Sequence, residues 1–318
     1  MLTTGDSEVR YGIGVRYSEQ GVRLLKLEYS DKGLKITGVA AGQPMETMSP
    51  FFNADDFDRD NTSIVIGLGP GNFISSYMIP EDGMDESDIE THLRWQIEHK
   101  FISGAEEYKF DYFITDTIGC MFASRQDLLD TVLSLFNDLG LSKENITTDV
   151  ESVALYNGSE GAGEIGNETV MLTSIEAEGI SSLVLGNGFP SALETVAFDE
   201  ESLINILPGL DQNGMDDVDK NTIERMAGHV IESLSRLTSF GEYDDKPMPK
   251  QIVLSGGGVY LGNGNLAERI SEKTDIPTMT SNPLKPLLTE VPKNQTNLAT
   301  LSAAFTTCFG LALRALED

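Results

Sequence analysis

The sequence predicts an α/β protein with two domains. Its 318 residues are enough for two domains, each with its own core. Three β-forming residues at 252–254 lead into Gly256, Gly257 and Gly258, and a helical segment follows at 265–273. A strand that ends in a glycine turn before a helix is a frequent nucleotide site, because glycine lets the backbone approach a ligand closely. A tight turn without a ligand is the alternative interpretation.

The composition argues against several classes of function. Acidic residues number 51 against 22 basic ones, for a formal charge of −29, which repels phosphate backbones and anionic lipids. We therefore expect neither nucleic-acid binding nor electrostatic docking on a membrane, and the acidity indicates a basic partner or simple solubility. No run of about 18 apolar residues is present, so we expect no direct membrane insertion either. The first ten residues lack the features of a signal peptide. Cys120 and Cys308 lie in apolar contexts, which predicts buried thiols in a reducing compartment.

The chain is predicted to open with a β-meander. Alternating apolar residues predict two strands within residues 11–27 and a third at 34–40. Residues 51–61 are rich in Asp and predict a loop. A strand follows at 63–67, and the Gly-Pro-Gly-Asn sequence at 69–72 predicts a hairpin turn rather than a phosphate loop.

A second group of elements follows, starting with a strand at residues 73–79. An apolar stripe that recurs every four residues then predicts a helix with one buried face. Its members are Ile89, Leu93, Ile97 and Phe101. Trp95, the only tryptophan, lies off this stripe, and core packing is favoured for it over a partner contact. Strands at 108–115 and 119–125 and an amphipathic helix at 127–139 complete the group.

The second half of the chain repeats the α/β pattern. Residues 146–155 predict a strand that leads into a helix, and the glycine-rich residues 158–167 predict a linker. Two strands are predicted within 168–185 and a long amphipathic helix at 222–240. Between them, residues 208–219 predict a polar, acidic loop. Calcium binding is an alternative there, but the position of its glycine argues against it.

Several stretches carry a family resemblance. They are YMIP at 77–80 with IETHLRWQIE at 89–98, ITTDVESVAL at 146–155, and the glycine turn at 256–258 with IP at 276–277, NP at 282–283 and GLALR at 310–314. These stretches resemble the PilM family of type IV pilus assembly proteins, in the FtsA and PilM branch of the actin-like ATPase superfamily. The resemblance is strongest over 63–157 and 252–314 and weak over 11–27 and 168–185. Gln96 stands where the family has an acidic residue.

The resemblance implies a two-domain actin-like (ribonuclease H-like) fold with a cleft between the domains. The first domain would span residues 1–160 and contain a small inserted α+β subdomain at about 73–145. The second domain would span 161–300, and a C-terminal helix within 301–318 would pack back towards the first domain.

The resemblance also implies where phosphates would bind. Such proteins hold phosphates with two Asp-x-Gly turns, in which the Asp orders Mg²⁺ and the glycine N–H groups bind oxygens. The first turn has Gly14 and Arg16 in these places, and the second has Ser174 and Glu176. Both metal-ordering carboxylates are therefore missing, and Glu176 would repel a phosphate. Arg16 is expected to form a surface ion pair, with phosphate binding as the alternative.

No catalytic residue and no metal site are assigned. His92, His99 and His229 are too few and too scattered for metal ligation. The adenosine-side glycines Gly256, Gly257 and Gly258 are kept, so we expect ATP or ADP to bind weakly and without a metal.

The resemblance therefore implies a non-enzymatic, cytoplasmic scaffold of type IV pilus assembly. It would bind the N-terminal cytoplasmic tail of a PilN-like inner-membrane protein, and through it lie at the membrane and connect to pilus motor components. The groove is expected in the first domain, with the inserted subdomain around Trp95 as its wall, and the tail should carry Lys or Arg beside apolar anchors.

Three alternatives remain. An active actin-like ATPase or sugar-kinase-like enzyme is disfavoured by the altered phosphate turns. A type II secretion L-like protein shares the fold. An FtsA-like filament former is disfavoured because we find no amphipathic tail for membrane attachment.

Overall fold

The computed structural model describes residues 9–18, 21–54, 57–81, 83–100, 104–115, 118–198, 220–239, 248–290 and 298–317. The predicted acidic loop at 208–219 and Phe101 of the apolar stripe lie outside these ranges. The strands are β1 (Arg10–Ser18), β2 (Gly21–Ser30), β3 (Gly33–Gly42), β4 (Thr62–Leu68), β5 (Ile74–Met78), β6 (Tyr108–Ile114), β7 (Gly119–Arg125), β8 (Ile146–Val150), β9 (Val170–Glu176), β10 (Gly179–Gly186), β11 (Phe189–Ala197), β12 (Gln251–Ser255) and β13 (Thr278–Thr280). The helices are α1 (Pro44–Phe52), α2 (Glu86–Glu98), α3 (Gln126–Asp138), α4 (Glu151–Gly161), α5 (Lys220–Ser239), α6 (Asn265–Thr274) and α7 (Thr306–Glu317).

The first sheet has the order β3-β2-β1-β4-β8. The predicted meander is present, since β1, β2 and β3 pair antiparallel. β4 and β8 then extend the sheet in parallel. One face packs on α1 and α3 through a core that includes Phe52 and Phe136. The other face packs on α7, which lies against β1, β2 and β4.

Helix α1 ends at Phe52, so only the first two residues of the predicted loop at 51–61 are helical. Pro44 lies in its first turn, where the fixed φ of proline suits a helix and no hydrogen bond is lost. Met48 and Phe52 are four residues apart and both are buried against the sheet. The Asp-rich residues that follow Phe52 predicted a loop, and the helix before them was not predicted from the sequence.

The second sheet has the order β11-β10-β9-β12-β13. β9, β10 and β11 pair antiparallel, while β12 and β13 are parallel to β9 and to β12 respectively. The two predicted strands within 168–185 are β9 and β10, whereas β11 was not predicted. The predicted long helix is α5, and its residues Met226, Val230 and Leu234 are buried against this sheet.

A three-stranded antiparallel sheet, β5-β7-β6, is inserted between β4 and β8. Its helix α2 begins after Asp85, whose side chain accepts a hydrogen bond from the Asp88 N–H at 2.9 Å. The predicted stripe is correct for its described members, since Ile89, Leu93 and Ile97 are buried on β7. This small sheet and helix are hereafter the inserted subdomain.

Trp95 is 57% exposed, so the prediction of core packing is wrong. It lies two residues after Leu93, which places it about 200° round the helix from the buried stripe. His92 and His99 are exposed beside it, and the Trp95 and His99 ring centroids are 4.2 Å apart.

The turn at residues 69–72 is present, but it does not close a hairpin. The Asn72 N–H donates to the Gly69 carbonyl at 3.1 Å, and Gly71 has a φ of +88°. The strand before the turn, β4, pairs with β1 and β8, whereas the strand after it, β5, pairs with β7. Turn chemistry predicts a reversal of the chain but does not identify the strands that pair.

The predicted linker at 158–167 begins inside helix α4. Gly158 is a helical residue, and an added Cβ there would lie 2.2 Å from the Thr306 carbonyl oxygen of α7. A Cβ at Gly310 would lie 1.9 Å from the Ala154 carbonyl oxygen of α4. These two glycines therefore allow α4 and α7 to cross in direct backbone contact.

Both cysteines are buried and free, as predicted. Burial raises the pKa of the Cys120 thiol to about 12 and that of Cys308 to about 11. Among the described residues, no helix is long and apolar enough to cross a membrane.

We predict opposite effects for the same substitution at two helical glycines. Gly310→Ala should destabilise the protein by about 1–3 kcal/mol or more, because the new methyl group overlaps the α4 backbone. Gly228→Ala in α5 meets nothing within 4 Å and should stabilise it by up to about 1 kcal/mol through helix propensity. Urea unfolding measures both, and equal effects at the two positions would contradict this packing of α4 and α7.

Candidate functional site

Arg16 and Glu176, one from each of the two turns that the resemblance predicts for phosphates, are in contact in the structure. Arg16, at the end of β1, and Glu176, at the end of β9, are 1% and 2% exposed. The Arg16 Nε lies 3.4 Å from the Glu176 Oε1. Arg16 also forms ion pairs with Glu151, the first residue of α4, and with Glu178 in the turn after β9. Arg16 therefore connects the first sheet to the second.

A second arginine completes this group. Arg23 on β2 is fully buried, pairs with the Glu176 Oε2, and donates from Nη1 to the Ala304 carbonyl at 2.6 Å. Arg23 lies directly opposite Arg16 in the antiparallel ladder. Like charges at opposite positions repel, and the carboxylate of Glu176 between them compensates that repulsion. Arg16, Arg23, Glu151, Glu176 and Glu178 are hereafter the charge cluster.

The burial of Arg16 corrects its predicted role as a surface ion pair. Gly12, Gly14 and Arg16 point to the same face of β1, because side chains alternate along a strand. The two glycines lie under α7, and a Cβ at Gly14 would lie 1.9 Å from the Cys308 carbonyl oxygen. The Arg16 side chain continues this face beyond the helix, in the space between the two sheets. A long polar residue following two glycines on one strand face was the only signal in the sequence.

The charge cluster shifts the pKa of its acids in different directions. Burial raises the pKa of Glu151 to about 7, with Glu176 and Glu178 adding to the rise and Arg16 opposing it. Burial also acts on Glu178, but the Arg16 guanidinium and hydrogen bonds outweigh it and lower that pKa. With Glu151 protonated, the cluster holds two cations and two anions and is electrically balanced.

The predicted glycine turn follows β12, and it contacts the charge cluster directly. Gly256 has a φ of +86°, and an added Cβ would lie 2.4 Å from the Ile175 carbonyl oxygen. The N–H of Gly257 donates to the Glu176 Oε2 at 3.2 Å. A Cβ at Gly258 would lie 2.4 Å from Ile175 Cγ2. Close packing on β9 therefore accounts for Gly256 and Gly258, and a role for the turn in binding adenosine stays a prediction.

The residues present do not fit a magnesium–phosphate group. Gly14 has no space for the carboxylate that would order Mg²⁺. The carboxylate of Glu176 already accepts the N–H of Gly257, which a phosphate oxygen would need. Within the described ranges, no group of three or more His, Cys, Asp or Glu side chains is arranged to hold a metal ion.

A groove lies between the inserted subdomain and the start of α4. Its first part is an acidic cavity of about 440 Å³, and its second part is an apolar cavity of about 330 Å³. The acidic cavity is lined by Val65, Asp111, Tyr112, Phe113, Phe122, Thr147, Thr148, Asp149, Val153 and Arg314. The apolar cavity is lined by Phe113, Thr115, Cys120, Phe122, Ser152, Val153, Tyr156, Asn157, Leu183, Phe189, Pro190 and Leu193. Three shared residues make the two parts neighbours, and together they are hereafter the subdomain groove.

The alternation of side chains along β7 decides which face of the small sheet forms this groove. Met121 and Ala123 point towards α2, whereas Cys120 and Phe122 point towards α4 and the second sheet. Trp95, on the solvent side of α2, therefore lies on the far side of the small sheet from the subdomain groove. The expectation that Trp95 forms the wall of the groove that binds the tail stays a prediction.

The subdomain groove has an exposed apolar surface beside two acids, the half-buried Asp149 and the exposed Asp111. Phe189 is 57% exposed at the rim of the apolar cavity. Burial raises the pKa of Asp149 to about 6, nearby Asp111 adds to the rise, and Arg314 opposes it. A cation placed between Asp111 and Asp149 would relieve their repulsion. The groove can therefore hold an apolar side chain next to a positive charge.

Comparison with solved structures identifies the fold. The chain matches a chain of the PilM–PilN type IV pilus biogenesis complex, with a TM-score of 0.71 and 18% identity over 96% of this chain and 99% of that one. It also matches a Bacteroides thetaiotaomicron protein with an actin-like ATPase fold and unknown function, with a TM-score of 0.51 and 13% identity over 88% and 96% of the two chains. The cytoplasmic domain of EpsL from the Vibrio cholerae type II secretion system gives a TM-score of 0.47 and 10% identity over 77% and 81%. The last likeness is too distant to favour the type II alternative.

Neither a protein-family model nor a curated protein sequence matches the chain. The structural likeness nevertheless extends over nearly the whole length of both chains. The chain has the predicted two-domain actin-like fold with an inserted subdomain, and in fold it resembles a chain of the PilM–PilN complex.

The raised pKa of Glu151 predicts a pH-dependent stability. The folded state keeps this proton up to about pH 7, whereas an unfolded chain loses it near the ordinary value of 4.5. The folded state therefore binds more protons between these values, and its stability falls as the pH rises through them. Relative to Glu151→Gln, the free energy of unfolding of the unaltered protein should fall by about 3 kcal/mol across this window.

Chemical denaturation at a series of pH values measures this difference. Glu144→Gln, at an exposed position, controls for the loss of one carboxylate. If the difference between the unaltered protein and Glu151→Gln does not change with pH, Glu151 is not the protonated member of the cluster.

Proposed function

We propose that this protein is a cytoplasmic scaffold of type IV pilus assembly. It holds the N-terminal tail of a PilN-like inner-membrane protein and does not hydrolyse ATP. The observation that carries the proposal is the fold likeness to a chain of the PilM–PilN complex over 96% of this chain. The free, buried thiols agree with a reducing compartment. The protein would lie at the inner membrane through its partner, and pilus motor components would contact it there.

The subdomain groove is the proposed docking site for the tail. Its apolar cavity of about 330 Å³ has room for one or two large apolar side chains, and the exposed ring of Phe189 offers contact area at its rim. Asp111 and Asp149 in the adjoining cavity favour a Lys or Arg beside the apolar anchor. The formal charge of −29 would speed the encounter with such a tail. The groove therefore matches a short segment that combines basic and apolar residues.

We predict that tail binding depends on Val153 and not on Trp95. The probe is a fluorescently labelled synthetic peptide with the N-terminal sequence of a PilN-like protein from the same genome. Val153 lines both cavities, so Val153→Arg should weaken binding by at least about tenfold, since it fills the groove and reverses its charge. Trp95→Ala is the matched control and should leave the affinity unchanged, because its side chain lies on the far side of the small sheet. Fluorescence anisotropy measures both affinities.

The charge component of binding is tested separately. The double variant Asp111→Asn, Asp149→Asn should bind the peptide more weakly and with less dependence on salt. Loss of binding in Trp95→Ala with normal binding in Val153→Arg would move the docking site to the outer face of α2. If none of the four substitutions changes the affinity for the peptide, the subdomain groove is not the docking site.

We predict negligible ATP hydrolysis. Gly14 offers no carboxylate for Mg²⁺, and Glu176 places a negative charge where phosphates would need hydrogen-bond donors. Release of inorganic phosphate from ATP with Mg²⁺ should stay far below the ordinary enzyme range of about 1 per second or more. A turnover in that range, abolished by Arg16→Met, would favour the ATPase alternative over the scaffold.

A further inference from the structure

The charge cluster places a carboxylate where a nucleotide-binding protein of this architecture would hold a ligand. The N–H groups of a glycine turn that follows a parallel strand form a ready anion site. In this protein the Gly257 N–H donates to the Glu176 Oε2 at 3.2 Å. The same carboxylate lies between the guanidinium groups of Arg16 and Arg23. One backbone donor and two cations therefore surround an anion that belongs to the chain itself.

The elements that supply these groups come from both large sheets. Arg16 and Arg23 lie on β1 and β2 of the first sheet, whereas Glu176 and Gly257 follow β9 and β12 of the second. Glu178 extends the contact, since it pairs with the same guanidinium of Arg16. Both ion pairs of Glu176 thus join the two halves of the molecule. Buried ion pairs are geometrically specific, because a displaced partner leaves an uncompensated charge.

We propose that Glu176 is a built-in anion that takes the place of a bound phosphate and fastens the two sheets together without a nucleotide. The relative position of the halves, and of the subdomain groove between them, would then be set by the chain alone. This inference does not depend on which partner occupies the groove. It predicts that removal of the Glu176 carboxylate creates a site for an external anion, which the unaltered protein lacks.

The test is chemical rescue of Glu176→Ala. This substitution leaves a carboxylate-sized space beside two arginines and the Gly257 N–H. We expect its melting temperature to fall and to be restored saturably by sodium acetate or inorganic phosphate, with sodium chloride at equal ionic strength as the reference. The unaltered protein should show no saturable response to either anion.

Glu194→Ala is the matched control. Glu194 on β11 also pairs with an arginine, Arg236, but Arg236 is more exposed, and no glycine-turn N–H among the described residues donates to that carboxylate. We expect acetate and phosphate to bind Glu176→Ala about tenfold or more tightly than Glu194→Ala. Equal responses of the two variants would overturn the proposal.

A measurement on the unaltered protein keeps the proposal testable if Glu176→Ala does not fold. Equilibrium dialysis with radiolabelled pyrophosphate, without magnesium, should detect no binding at millimolar concentrations. Glu176→Gln keeps the shape of the side chain but removes its charge, so it should melt at a lower temperature than the unaltered protein and, with no space for an added anion, show no saturable response to acetate. Pyrophosphate binding by the unaltered protein that is lost in Arg16→Met would show that the site is open to ligands and would reject the built-in anion.

Discussion

The contact between Arg16 and Glu176 is the interaction on which the arrangement of this molecule depends. It joins two sheets whose other contacts are mostly apolar, and it is buried from water on all sides. Charges in such a place are costly to desolvate, and only close counter-charges offset that cost. Arg23 and Glu178 supply them, so each charged member of the cluster is compensated only while the others are present. The cluster therefore favours one relative position of the two sheets.

The charge cluster also positions helix α4, which forms part of the subdomain groove. Glu151 is the first residue of α4, and Val153 and Tyr156 on the next turn line the groove. On its other end, α4 is held against α7 by the backbone contact at Gly158 and Gly310. A helix fixed at both ends presents its side chains without rearrangement. A binding surface on such a rigid element loses little conformational entropy when a partner docks.

Local patterns in the sequence predicted the elements whose structure is decided locally. Alternation identified β1 and β2, a four-residue period identified the buried face of α2, and the glycine turn was placed correctly after β12. Longer-range features were not predictable in this way. Arg16 pairs in the interior with Glu151 and Glu178, which lie 135 and 162 residues later in the chain. A local sequence pattern cannot predict contacts over such distances. The groove likewise needs β6 and β7, α4 and the β10–β11 hairpin together.

The packing of α7 on β1 has a consequence for the biosynthesis of the protein. Arg23 bonds to the carbonyl of Ala304, which lies 281 residues later, and the Cys308 thiol contacts the carbonyl of Arg23 across 285 residues. While the ribosome is still making the second half of the chain, the glycine-lined face of β1 has no helix to cover it and Arg23 lacks the Ala304 carbonyl. The first sheet cannot complete its core until α7 emerges, which makes its folding late and of high contact order. Nascent chains of this protein should therefore need protection from aggregation until α7 has emerged.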